Sequence, residues 1–282
     1  MHSAANPSRR SRLSIALAAF VCALASIVWA PDAEAIVCAN RDALDTPANG
    51  YVGWWNGSSA VCVGPNWIVS AKHVGGTVNG LFWMRGVSYR AVEIRQHPTQ
   101  DIQIIRVAET LPGYHRLATN VTAGDLAILG GYGNTAGTAV ANGFDWTGAQ
   151  AETWGANLIE NAGTLIVIDF DSPGSSTAVP NESIFAVHDS GAGLFVYGLD
   201  GSLELAGVAV SVTGYGSSVY GNSAFCLNMD FLRTWIQPTV DPSAPITSSA
   251  VAPRAGIFDS GTHSMVWGLA VSLGFVFRRR RV

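Results

Sequence analysis

Between residues 36 and 237 the apolar positions fall in short runs of Val, Ile, Leu and Ala, separated by Gly, Asn and Ser. This punctuation predicts strands and turns rather than long helices. Trp67-Ile68-Val69-Ser70-Ala71 reads as an apolar strand that ends at Lys72-His73-Val74. Ile102-Gln103-Ile104-Ile105-Arg106-Val107 alternates and reads as a strand opened by Asp101. His188-Asp189-Ser190-Gly191-Ala192-Gly193 is a glycine-rich turn placed before another strand. Two apolar runs have a different character, Leu13 to Trp29 and Met265 to Phe277, and each lies near one end of the chain.

Both ends have the composition of addresses. Arg9, Arg10 and Arg12 precede the first run, and Ala33-Glu34-Ala35 supplies a small-x-small cleavage site. Residues 1–35 are therefore expected to be a signal peptide removed by a signal peptidase. The competing reading is an N-terminal membrane anchor. Ser8-Arg9-Arg10-Ser11-Arg12-Leu13 also faintly resembles a twin-arginine export signal. Residues 238–256, with Pro238, Pro242, Pro245 and Pro253 among Ser, Ala and Thr, read as a linker that buries little apolar surface.

Residues 257–282 carry Phe258-Asp259-Ser260-Gly261-Thr262, then the second apolar run, then Arg278 to Arg281. Counted from Gly261 the run reaches 17 residues, near the lower limit for a membrane helix. The arginines behind it would stay on the cytoplasmic side. In this order the three features resemble a C-terminal sorting signal of the PEP-CTERM type, with the Phe-Asp-Ser-Gly-Thr stretch similar to its VPDSG variant. The resemblance implies transient membrane anchoring through a hydrophobic helix and processing by an exosortase-like enzyme. A simple C-terminal anchor is the alternative.

Of the 16 basic residues seven lie in the two ends, and of the 20 acidic ones two do, so Ile36 to Phe277 holds 9 basic and 18 acidic residues. A balance near −9 offers no basic patch for nucleic acid. Cys38, Cys62 and Cys226 remain after loss of Cys22, which allows one bridge and one leftover thiol with the pairing open. No CxxC or His-rich spacing suggests a metal, and no cofactor is expected.

His73, Asp101 and Ser190 carry the candidate chemistry. Each alone is weak, because a histidine after a strand, an aspartate at a strand start and a tight Asp-Ser-Gly turn all have structural explanations. Together they supply what nucleophilic catalysis requires. A hydroxyl attacks only when a neighbouring imidazole takes its proton. A buried carboxylate fixes the tautomer of that imidazole and stabilises its charged form. A turn of small residues lets backbone N–H groups approach a developing oxyanion. His97 and His115 lack such a context and read as structural.

In these segments the chain resembles the chymotrypsin/trypsin-like serine peptidases. Ser70-Ala71-Lys72-His73 stands where the family has Thr-Ala-Ala-His, Asp101-Ile102 matches its Asp-Ile start, and Asp189-Ser190-Gly191 its Asp-Ser-Gly core. Leu205-Ala206-Gly207-Val208 looks like the strand beside the specificity pocket, and Phe231 to Ile236 like the closing helix. Over residues 36–237 the resemblance implies an all-β peptidase domain of two packed six-stranded antiparallel barrels with a short C-terminal helix. The triad would lie in the cleft between them, and protein or peptide would be the substrate.

The same resemblance assigns further roles. The backbone N–H groups of His188 and Ser190 would form the oxyanion hole. Cleavage after Ala35 would free Ile36-Val37, whose ammonium would pair with Asp189, so that export itself activates the enzyme; the alternative is that Ile36 follows the signal by chance. Ile184 falls near the floor of the specificity pocket, with Ser211, Val212 and Thr213 along one wall. No acidic residue stands at that floor, so a small or apolar preference is expected rather than Arg or Lys.

Several positions depart from the family. His188 replaces the oxyanion-hole glycine, which commonly has φ above zero, a conformation costing a non-glycine residue about 1 kcal/mol. Ala192 and Gly193 replace a glycine and a proline. Val74 stands where the family has a cysteine, so that disulfide is absent. The short interval from His73 to Asp101 implies trimmed surface loops. A rival expectation is a catalytically impaired trypsin-fold protein that binds peptides or envelope polymers, and a second is a surface spacer.

Overall fold

The structure is a computed structural model, and it describes residues 36–41 and 43–241. The expected signal peptide, most of the linker and the expected sorting signal with its hydrophobic helix lie outside these residues. Among the described residues no helix is long and apolar enough to cross a membrane.

After β1 (Val37–Cys38), six strands follow: β2 (Val52–Trp55), β3 (Ser58–Gly64), β4 (Trp67–Ala71), β5 (Leu81–Met84), β6 (Val87–Gln96) and β7 (Ile102–Val107). They close into an antiparallel barrel in the order β2-β3-β4-β7-β6-β5. β3 and β4 are buried along their whole length because both faces are covered. Ala60, Cys62 and Ile68 fill the barrel with Trp55, Phe82 and Ile105. Val61, Val63 and Val69 turn outward and pack with Trp154, Phe195 and Leu205 of the second half. Two-sided burial explains why these strands read as near-continuous apolar runs rather than clean alternations.

The second half comprises β8 (Leu126–Gly131), β9 (Ala139–Val140), β10 (Gly143–Asp145), β11 (Thr153–Leu158), β12 (Asn161–Ala162), β13 (Leu165–Asp169), β14 (Ser183–Ile184), β15 (Gly193–Tyr197), β16 (Leu203–Val212), β17 (Ser217–Val219) and β18 (Ser223–Asn228). Here the expectation of a second closed six-stranded barrel is corrected. Seven strands form an open sheet, β11-β8-β15-β16-β18-β13-β12, which curls as a half-barrel. Its two edge strands are consecutive in sequence. The chain itself spans the opening at Ile159 and Glu160, whose N–H groups bond to Asp125 and Val167, so no ladder joins β11 to β12.

Helix α1 (Met229–Val240) closes the described chain. Asn228 caps it by accepting from the Asp230 N–H at 3.0 Å, and Asp230 places a negative charge in the first turn. Met229, Leu232, Ile236 and Val240 recur at helical spacing and are buried against the rest of the domain. No disulfide joins the three cysteines. Cys62 lies inside the barrel against Met84, Cys226 in the core of the open sheet, and Cys38 beside Ser183.

Candidate active site

β4 delivers His73. Where the strand ends, Lys72 to Val74 wind into one turn of 3-10 helix, stopped by Gly75 at φ 68°. Asp101, one residue before β7, grips this turn at three points. Its carbonyl accepts from the Lys72 N–H at 3.2 Å, Oδ1 accepts from the His73 N–H at 2.8 Å, and Oδ2 lies 2.6 Å from His73 Nδ1. Since β4 and β7 are paired in register, Ala71 to Ile102, the two residues are neighbours before any side chain is placed.

The third residue comes from the other half of the molecule, on the turn between β14 and β15. His188 has φ 69° and Gly191 φ 87°, so the chain twice visits the left-handed region around Ser190. At Gly191 only glycine fits, because a Cβ would collide with the Ser59 carbonyl oxygen as well as with the backbone conformation. The turn is held by Gly191 N–H to Ala209 O at 2.8 Å and Ala192 N–H to Asp189 O at 2.8 Å. From the barrel, the Ser59 N–H donates to the Ser190 carbonyl at 3.1 Å. Ser190 Oγ thereby lies 2.7 Å from His73 Nε2.

Three side chains separated by up to 117 positions thus form one chain of hydrogen bonds, Asp101 to His73 to Ser190. With Nδ1 protonated and donating to Asp101, Nε2 is left as the acceptor for the serine O–H. Asp101 differs from the expectation of a buried carboxylate: its side chain is 39 % exposed and that of His73 46 %. Of the 27 residues between them β5 and β6 take 14 (4 and 10), and the connections left at 75–80 and 97–100 are short.

The backbone N–H groups of His188 and Ser190 donate to no protein acceptor among the described residues. Beside them a cavity of about 200 Å³ opens, lined by Trp146, Phe185, Ala186, Ser211, Val212 and Gly214, with His188 and Ser190 at its edge. Ser211 and Val212 line this cavity. Ile184 does not: it pairs with Val37 in β1 and is buried in the core, and Phe185 takes the lining position. Thr213 also lies outside the lining, its N–H and hydroxyl engaged with Ser223. Neither displacement is legible from counting, because it depends on which face of a short strand turns inward.

Asp189 is buried beneath the serine. Oδ1 accepts from the Gly133 N–H at 2.8 Å, Oδ2 from the Ala186 N–H at 2.9 Å, and the Ile36 N–H is a third donor. Burial pushes its pKa up to about 7, while these donors pull it down. Ile36 is itself buried with φ 54°, a strained conformation for a β-branched residue. The backbone N–H of residue 36 is thus in contact with Asp189.

His115 is buried and neutral: Nε2 accepts from the Tyr51 N–H at 3.1 Å and Nδ1 donates to Leu203 O at 2.9 Å. Burial lowers its pKa to about 4. His97 Nδ1 caps the turn before Asp101 by accepting from the Gln100 N–H at 2.9 Å. Sequence reasoning missed Ser59, which donates to the Ser190 carbonyl, and Trp55 and Gln103, whose side chains donate to the Gly75 carbonyl behind His73. No protein-family model matches this chain, and no curated protein matches it.

Proposed function

We propose that this chain is an exported serine endopeptidase of the trypsin-like type, acting through His73, Asp101 and Ser190. The observation that carries the reading is the continuous pair of contacts at 2.6 Å and 2.7 Å linking carboxylate, imidazole and hydroxyl. His73 Nε2 takes the Ser190 proton as Oγ bonds to the scissile carbonyl carbon. Asp101 holds the Nδ1–H and stabilises the imidazolium. The carbonyl oxygen becomes an oxyanion, for which the N–H groups of His188 and Ser190 are the candidate donors. Collapse expels the amine, which takes the proton from His73 and leaves an acyl-enzyme. Water, deprotonated by the same imidazole, then releases the acid and restores Ser190.

The largely apolar lining of the cavity beside Ser190, whose one carboxylate, Asp189, is already taken up by backbone N–H donors, favours a small or apolar residue before the cleaved bond over Arg or Lys. Cleavage after Ala35 would convert the Ile36 amide at Asp189 into an ammonium and couple export to activation. Residues 1–35 would serve a signal peptidase, and residues 257–282 an exosortase-like enzyme after transient anchoring in the membrane. The mature protein would act in the cell envelope or outside the cell.

A catalytically impaired binding protein is the rival reading, and it draws on His188 in a conformation that favours glycine. A fluorophosphonate probe separates the two: the wild type labels at Ser190 and Ser190→Ala does not. An unlabelled wild type, folded and processed at Ile36, would refute the peptidase reading.

A further inference from the structure

The turn that carries His73 is three residues long, too short to hold its own shape. No disulfide secures it, since Val74 follows His73 and the described cysteines lie elsewhere. Asp101 holds only its front. Its back is held by two buried side chains of the barrel. Trp55 Nε1 donates to the Gly75 carbonyl at 2.9 Å, and Gln103 Nε2 donates to the same oxygen at 2.7 Å and to the Ala71 carbonyl at 3.2 Å. Trp55 is 1 % exposed and Gln103 0 %.

We infer that Trp55 and Gln103 form a non-covalent clamp on this turn and are positioning residues for His73; the inference rests on the peptidase reading above. Three features support it. Gln103 lies in β7 two residues after Asp101, which directly precedes that strand, so one short segment carries both residues. One grips the imidazole, and the other grips the carbonyl two residues beyond it. β7 and the residue just before it thus set both ends of the turn. The Gln103 amide has one workable orientation, because the reverse would aim Oε1 at two carbonyl oxygens; Oε1 itself has no partner. Finally, the Trp55 ring lies directly under the turn, where a Cβ at Gly76 (φ 108°) would strike it.

Loss of the clamp would leave the barrel in place and free the imidazole to swing off Ser190. Misplacement of a reacting group by about 1 Å costs up to about 10²-fold in rate, so partial release of the turn is expected to cost about tenfold. The test uses Gln103→Met, which keeps length and apolar bulk while removing the donor, and Trp55→Phe, which keeps a ring and removes the N–H. Each is compared with the wild type for kcat and KM on one peptide, for the rate of fluorophosphonate labelling at Ser190, and for solvent exchange of the His73 Nδ1 proton by NMR.

The expected result is a roughly tenfold fall in kcat and in labelling rate with KM within about twofold, and faster exchange of the Nδ1 proton. If one variant fails to fold, the other decides. Wild-type rates in a folded variant, or a rise in KM alone, would overturn the clamp and leave the peptidase reading intact. An unreactive wild type would sink the peptidase reading instead. The Nδ1 proton then decides the clamp by itself: faster exchange in the variant supports it, and unchanged exchange overturns it.

Discussion

Asp189 is where export and catalysis would meet. Its carboxylate is buried beneath Ser190, and burial raises its pKa from 3.8 to about 7 despite three backbone donors. One unit corresponds to about 1.4 kcal/mol, so holding Asp189 ionised costs about 4 kcal/mol while residue 36 offers only an amide. Because the folded value is the raised one, the associated stability is complete below pH 3.8 and is lost as pH rises to about 7. A chain that begins at Ile36 presents an ammonium at the same point, which favours the ionised form and removes this loss.

The comparison is between a chain starting at Ile36 and one carrying two further residues, Glu34-Ala35, each unfolded in urea at pH 5 and pH 7. Over this interval the extended chain is expected to lose about 2 kcal/mol more than the processed one, since Asp189 is only half ionised at pH 7. Glu182, which burial pushes up to about 8, titrates in both chains and cancels in the difference. The extended chain should also label slowly with the fluorophosphonate at pH 7. Equal pH dependence of the two chains, or equal labelling rates, would refute the coupling of Ile36 to Asp189.

Further outcomes are expected. His115 has a folded pKa lowered to about 4, so its contribution is present above pH 6.5 and lost as pH falls. Urea unfolding of the wild type should lose about 3 kcal/mol between pH 6.5 and 4 relative to His115→Gln. His188→Gly should keep the wild-type labelling rate within a few-fold, whereas His188→Val, β-branched at φ 69°, should slow it by about 10²-fold through a displaced oxyanion donor. In a peptide series varied before the cleaved bond, kcat/KM should favour small or apolar residues over Arg by about tenfold or more, because the one carboxylate in the lining, Asp189, has both oxygens engaged by backbone N–H groups.

Much of the site is legible along the chain because it depends on local backbone. The end of an apolar strand marks His73, and the start of an alternating one marks Asp101. The need for a left-handed residue is visible at Gly191 and, by comparison with the family pattern, at His188. The positions missed depend on contacts between distant segments. Ser59, Trp55 and Gln103 act through side-chain or backbone bonds to a turn their own sequence does not announce. Ile184 and Phe185 differ only in which one a two-residue strand turns toward the core.

The sequence by itself determined the strand-rich class, the three chemical groups and their order, since side-chain type and short-range periodicity are local properties. Tertiary structure alone decided that the second sheet stays open, that Asp101 is half-exposed and that Phe185 lines the pocket. It also decided that the backbone at Ile36 meets Asp189. Each of these depends on how distant segments pack against one another, and such packing is set by the summed burial of many residues rather than by any one segment.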